Sequence, residues 1–152
     1  MAMKYIFQTQ MTTSHNLVIG AIIVSLLFVM TGNIYKNSFQ DILTKPLLHI
    51  NAFDLDWWSV SHFMLYSFFG FVMPGYPLSF FTMGVLFEIF EDALSNDDST
   101  KLVNCNNGKN NLIHKLMCNG STDSYWYSNV SDIAINLFGY VVGQAIRTTF
   151  AN

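Results

Sequence analysis

The chain has 152 residues, of which 51% are hydrophobic, 16% aromatic and only 11% charged. A soluble domain normally carries about a quarter charged residues, so this composition favours a polytopic membrane protein. The net charge of −3 and the scattered single lysines exclude a basic surface for nucleic acid.

The first predicted element is an apolar run from Leu17 to Met30. A secretory signal sequence would look similar, but no small-residue cleavage site follows this run. With its flanks it predicts a membrane span over residues 16–33, long enough to cross a hydrocarbon core of about 30 Å. Residues 34–56 form a predicted interfacial connector, either a short amphipathic helix broken near Pro46 or an ordinary loop.

Two further spans, over residues 57–73 and 78–94, are predicted to form an antiparallel hairpin. Trp57 and Trp58 open the first of them and are typical of the membrane interface. The turn between the spans contains two prolines, a glycine and no charged residue. The second half of the third span contains the sequence GVLFEIFED, which places carboxylates in an apolar run. At mid-membrane an acidic side chain costs roughly 2.5–3.5 kcal/mol.

Residues 95–129 are rich in asparagine and form a predicted solvent-exposed loop before a fourth span over residues 130–150. Cys105 and Cys118 in this loop either form a disulfide or stay reduced, depending on the compartment. Asn119 and Asn129 begin glycosylation sequons. The sequence therefore predicts one all-α domain, residues 1–152, built as an integral membrane four-helix bundle with a long polar loop between spans three and four.

Each of the last three spans carries polar residues three or four positions apart, which places them on one helix face. In the predicted topology the start of span two, the end of span three and the start of span four share one side of the membrane. The polar residues at these three ends are expected to converge just below that surface. The predicted polar cluster consists of His62, Tyr66, Glu88, Glu91, Asp132 and Asn136.

The chemistry of this cluster has more than one interpretation. His62, Glu88 and Asp132 are candidate catalytic residues, because a histidine with carboxylates can act as acid and base or ligate a metal. However, no H-E-x-x-H, G-x-S-x-G or paired E-x-x-H signature is present, so we predict neither a metal nor a cofactor. Asp132 alternatively complements the dipole at a helix start. Gly139 and Gly143, four positions apart, predict close helix packing.

Three segments of the chain resemble the VanZ-like family of small bacterial membrane proteins and an uncharacterised relative with a W-x-x-S-H opening. The family's H-x-x-x-Y, E-x-x-[QE] and D-x-x-x-N-x-x-G patterns correspond to the six cluster residues and to Gly139. Basic residues that the family carries before its histidine and aspartate are absent here. The resemblance implies a membrane fold and a site at the cluster, but no particular reaction. The segments are WSVSHFMLY, GVLFEIFED and YSNVSDIAINLFGYVVG.

Two functions from different classes follow. In the first, the cluster binds the head group of a membrane lipid or lipid-linked molecule, and whether it also catalyses a reaction is left open. In the second, the chain is a non-enzymatic structural subunit of a larger assembly, such as an organellar complex or a virus capsid with a membrane, and docks to other subunits through residues 95–129. An ion or proton pathway is disfavoured, because the other halves of the spans offer few polar residues.

Overall fold

The computed structural model of the protein describes residues 2–50, 53–94 and 130–150. This part of the chain is all-α except for one antiparallel two-stranded hairpin. The predicted loop 95–129, with its two cysteines and the asparagines of both sequons, lies outside the described residues. In chain order the elements are α1 (Ala2–Ile34), α2 (Lys36–Leu43), β1 (Pro46–Ile50), β2 (Phe53–Asp56), α3 (Trp57–Val72), α4 (Pro77–Leu94) and α5 (Val130–Phe150).

One helix in the described part of the chain is long and apolar enough to cross a membrane. It is the stretch Thr13–Ile34 of α1, with 22 residues and a mean hydropathy of 2.4. The other three predicted spans are also helices, with bounds within a residue of those expected. By length and composition they are weaker candidates, since α3 has only 16 residues and α4 carries three acidic residues among its 18.

The connector between α1 and α3 differs in part from its prediction. Its first half is the expected short helix, α2, which ends before Pro46, but the β-hairpin that follows was not predicted. Pro46 explains the change, because the residue before a proline is pushed out of the helical region and the chain continues extended. The hairpin ends at Asp56, whose side chain accepts a hydrogen bond of 2.9 Å from the backbone N–H of Ser59 and caps α3.

The closest helix packing is between α3 and α5, which run parallel. Gly143 lies against the carbonyl of Ser67, and a Cβ at position 143 would overlap that oxygen. Gly139 faces the backbone of Phe63 one turn earlier, and Gly70 of α3 faces the carbonyl of Tyr140. Glycine on both helices therefore allows the two backbones to approach more closely than any side chain would permit.

Helix α4 runs antiparallel to both of these helices and completes the core through aromatic rings. Phe80 stacks on Phe69 of α3, with centroids 4.9 Å apart, and on Tyr140 of α5, with centroids 5.2 Å apart. The Tyr140 hydroxyl donates to the carbonyl of Met73 at 2.6 Å and accepts from the N–H of Tyr76 at 2.8 Å. It thereby ties the α3–α4 turn to α5.

Replacing Tyr140 by phenylalanine is expected to lower the free energy of unfolding by about 1–3 kcal/mol, because two backbone groups lose their partner. The ring and its stacking remain. Thermal unfolding in detergent measures the effect, with Tyr35→Phe as the matched control, since Tyr35 is 62% exposed. Equal stability of the two variants would show that the Tyr140 hydroxyl does not hold the turn.

Candidate functional site

The first turns of α3 provide one wall of the predicted cluster. Because residues three and four positions apart share a helix face, Ser59, His62 and Tyr66 point the same way, toward α4 and α5. Ser59 and Tyr66 are buried, and His62 is partly buried. The cap made by Asp56 fixes where α3 begins and so sets the height of these side chains.

Helix α5 supplies hydrogen-bonding partners for Ser59 and His62 of α3. The Ser59 hydroxyl donates to Asp132 Oδ1 at 2.7 Å, and His62 Nδ1 lies 3.1 Å from Asn136 Oδ1. Asp132 stands in the first turn of α5, so it also complements the dipole of that helix. Asp132 can therefore belong to the polar cluster and complement the helix dipole at the same time, the two roles predicted from the sequence.

The three carboxylates of α4 differ sharply in exposure. Glu88 is 5% exposed, Glu91 is partly exposed and Asp92 is exposed. Glu88 Oε1 lies 4.0 Å from His62 Nδ1, which joins α4 to the wall formed by α3. Glu91 lies one turn further along α4, where the carboxylates of Glu88 and Asp132 disfavour a negative charge on it.

The structure thus brings the three candidate catalytic residues together from three different helices. One ligand atom from each of His62, Glu88 and Asp132 lies within 4.8 Å of the others. Two carboxylates and an imidazole at this separation can share protons, bind a hydrogen-bond donor or ligate a cation. Gly139 and Gly143 lie below this site, in the α3–α5 interface.

A second polar layer lies one turn deeper than the carboxylates. Gly84 of α4 has no side chain there, and a Cβ at this position would stand 3.0 Å from the Tyr66 hydroxyl and 3.1 Å from Asn136 Nδ2. Asn136 is only 2% exposed, and its Nδ2 has no hydrogen-bond partner among the described residues. A buried amide nitrogen normally has one, so this atom is free to bind a ligand.

The polar cluster adjoins an apolar cavity of about 430 Å³ between α1, α3 and α4. Pockets of about 300–1,000 Å³ lined mainly by apolar groups with a few polar ones are typical of small-molecule sites. His62 and Tyr66 belong to both the cluster and the cavity wall, so the cluster adjoins the cavity through these two side chains. The other lining residues are mainly aliphatic and aromatic, among them Ile22, Val29, Leu65, Met83 and Phe87, and they include the polar Ser25.

Three parts of this site were not predicted from the sequence. Ser59 could have been found, because it precedes His62 by three positions and so shares its helix face. The capping role of Asp56 had a signal too, an acidic residue directly before a helix. No sequence signal indicated that α1 contributes to the cavity, since nothing in an apolar span shows which neighbour it packs against.

Comparison of the chain with known protein families, with curated proteins and with solved structures found no match in any of the three. The resemblance to VanZ-like proteins therefore depends on the three motif segments alone.

Proposed function

We propose that the chain is a four-span integral membrane protein, related to the VanZ-like family, that binds a lipid or lipid-linked molecule at the polar cluster. A membrane location is supported by the distribution of polar and apolar residues, which is the reverse of that in a soluble protein. The polar residues Glu88, Asp132 and Asn136 are 5%, 4% and 2% exposed. Large apolar side chains instead cover the outside of the helices, which is unfavourable in water and favourable in lipid.

Every proposed span takes part in this reversed distribution. One outward-facing residue from each of α1, α3, α4 and α5 illustrates it: Leu27, Phe71, Leu86 and Phe138 are 62%, 41%, 60% and 59% exposed. Helices α3 and α4 are short for a bilayer core of about 30 Å, and such spans are accommodated by local thinning of the bilayer.

The observation that carries the lipid-binding proposal is the junction of the cluster with the apolar cavity. An amphiphile needs an apolar groove for its chain and hydrogen-bonding groups for its head, placed side by side. The cavity between α1, α3 and α4 offers the first, and His62 and Tyr66 lead from its wall into the cluster. Carboxylate oxygens accept hydrogen bonds, so the cluster favours a head group with hydroxyl or amine donors.

The test is the lipid that remains bound to the purified protein. Wild-type protein extracted in mild detergent is expected to retain lipid, measured by native mass spectrometry and by extraction of the sample. Glu88→Gln and His62→Ala are each expected to lower retention roughly tenfold or more, because a hydrogen bond to a charged group is worth about 1.5–3 kcal/mol.

Asp92→Asn is the matched control on the same helix, since Asp92 is exposed and lies outside the cluster. Its retained lipid should equal that of the wild type. Equal retention in all the variants, with the protein still inserted, would contradict lipid binding and favour the structural-subunit alternative.

A further inference from the structure

We propose that the polar cluster also holds one divalent transition-metal ion, with His62, Glu88 and Asp132 as its ligands. The sequence carries no metal-binding signature, so this inference comes from the geometry alone. It concerns a metal ion by itself and does not depend on the lipid proposal.

The donor atoms are close enough to bind one ion. Ligands at about 2.0–2.2 Å from a tetrahedral ion lie roughly 3.4 Å from each other. The three candidate atoms lie within 4.8 Å of one another, and His62 Nδ1 and Glu88 Oε1 are 4.0 Å apart. Side-chain rotations close the remaining gap, among them a turn of the imidazole that directs the Nδ1 lone pair away from Asn136 and toward the ion. A mixed set of one imidazole and two carboxylates suits Zn²⁺ or Mn²⁺.

Asn136 gives an independent indication of a ligand. It is 2% exposed and touches the cluster through Oδ1, 3.1 Å from His62 Nδ1, while its Nδ2 has no hydrogen-bond partner among the described residues. In this orientation the amide N–H lies beside Gly84, one turn deeper than the carboxylates, and can donate to a water or other ligand held there. In the flipped orientation the free atom is a carbonyl oxygen, which is itself a metal ligand.

The surroundings of the ligands resemble those of metal sites in two respects. The Ser59 hydroxyl holds Asp132 at 2.7 Å, in the way that outer partners orient metal-bound carboxylates. The second respect is charge. The cluster contains three carboxylates, those of Glu88, Glu91 and Asp132, and one imidazole. A divalent cation would compensate charges that are costly to keep in an apolar bundle. Of the three proposed ligands, His62 also lines the apolar cavity.

The experiment titrates chelator-treated full-length protein with Zn²⁺ or Mn²⁺ alone. Cys105 and Cys118 are replaced by serine throughout, so that their thiols cannot bind zinc. One equivalent per chain is expected by calorimetry and elemental analysis. Glu88→Gln and Asp132→Asn should each weaken binding by about a hundredfold or more, and Ser59→Ala by about 10–100-fold. Asp92→Asn should bind as the unsubstituted background does.

A measurement without cluster variants covers the case in which these variants fail to fold. Pulsed EPR of Mn²⁺ bound to the otherwise unsubstituted chain should show coupling to one imidazole nitrogen. Absence of stoichiometric binding, binding that persists in both ligand variants, or an Mn²⁺ signal with water ligands only would each overturn the metal site. None of these outcomes affects the lipid measurements, which use a different ligand.

Discussion

Replacing Gly143 by alanine is expected to lower the free energy of unfolding by about 3 kcal/mol or more, the upper part of the range for overpacking. The added Cβ would overlap the carbonyl oxygen of Ser67, a backbone atom that cannot rotate away. Relief requires α3 and α5 to separate, which also disturbs the hydrogen bonds between Ser59 and Asp132 and between His62 and Asn136. At about 2–4 °C per kcal/mol, the thermal midpoint should fall by roughly 6–12 °C.

Gly20→Ala is the matched control for this substitution. Gly20 also lies inside a helix, α1, but a Cβ there would meet nothing within 4 Å. Alanine at that position should leave the midpoint unchanged or raise it, because alanine is the better helix former by about 1 kcal/mol. Similar midpoints for the two variants would mean that α3 and α5 do not approach as closely as described.

Filling the cavity should weaken lipid binding without altering any cluster residue. Ser25 of α1 lines the cavity, and its hydroxyl donates to the carbonyl of Ala21 in its own helix. A phenylalanine at position 25 would occupy space assigned to the lipid chain. If it displaces about two methylene groups, at about 0.8 kcal/mol each, lipid affinity falls roughly tenfold.

Ser79→Phe introduces the same side chain on α4, where Ser79 is exposed and does not line the cavity. Retained lipid should then match the wild type. Both variants are compared by native mass spectrometry at equal detergent concentration. Undiminished lipid in Ser25→Phe would place the bound chain outside this cavity.

The fold was largely predictable because long apolar runs and their turn residues identify helices with little ambiguity. Residues 57–73 were predicted as a span and form α3, Trp57–Val72. The hairpin in the connector was not predicted, because its two short strands show no clear alternation of apolar and polar residues. The strands pair only when the chain folds back on itself, which the sequence does not indicate. Packing partners are also absent from a sequence, so the place of α1 beside the cavity could not be inferred.

The six residues of the polar cluster were predictable from the sequence, but Ser59 was missed and the geometry of the site could not be inferred. The spacing of Glu88 and Glu91, and of Asp132 and Asn136, identified one polar face on each helix, and an alternating up-and-down topology placed those faces at one end. Distances such as the 4.0 Å between His62 and Glu88 depend on how closely α3, α4 and α5 approach. That approach is set by glycines whose contacts only the structure reveals.

The most direct test of the account locates the lipid chain itself. Cells are fed a fatty acid with a photoactivatable diazirine, the protein is irradiated in its membrane, and cross-linked residues are identified by mass spectrometry. We expect adducts to be concentrated on the cavity wall, at residues such as Leu65 and Met83, and to be reduced there in Ser25→Phe. Adducts confined to outward-facing residues such as Leu86 and Phe138, with none in the cavity, would contradict it.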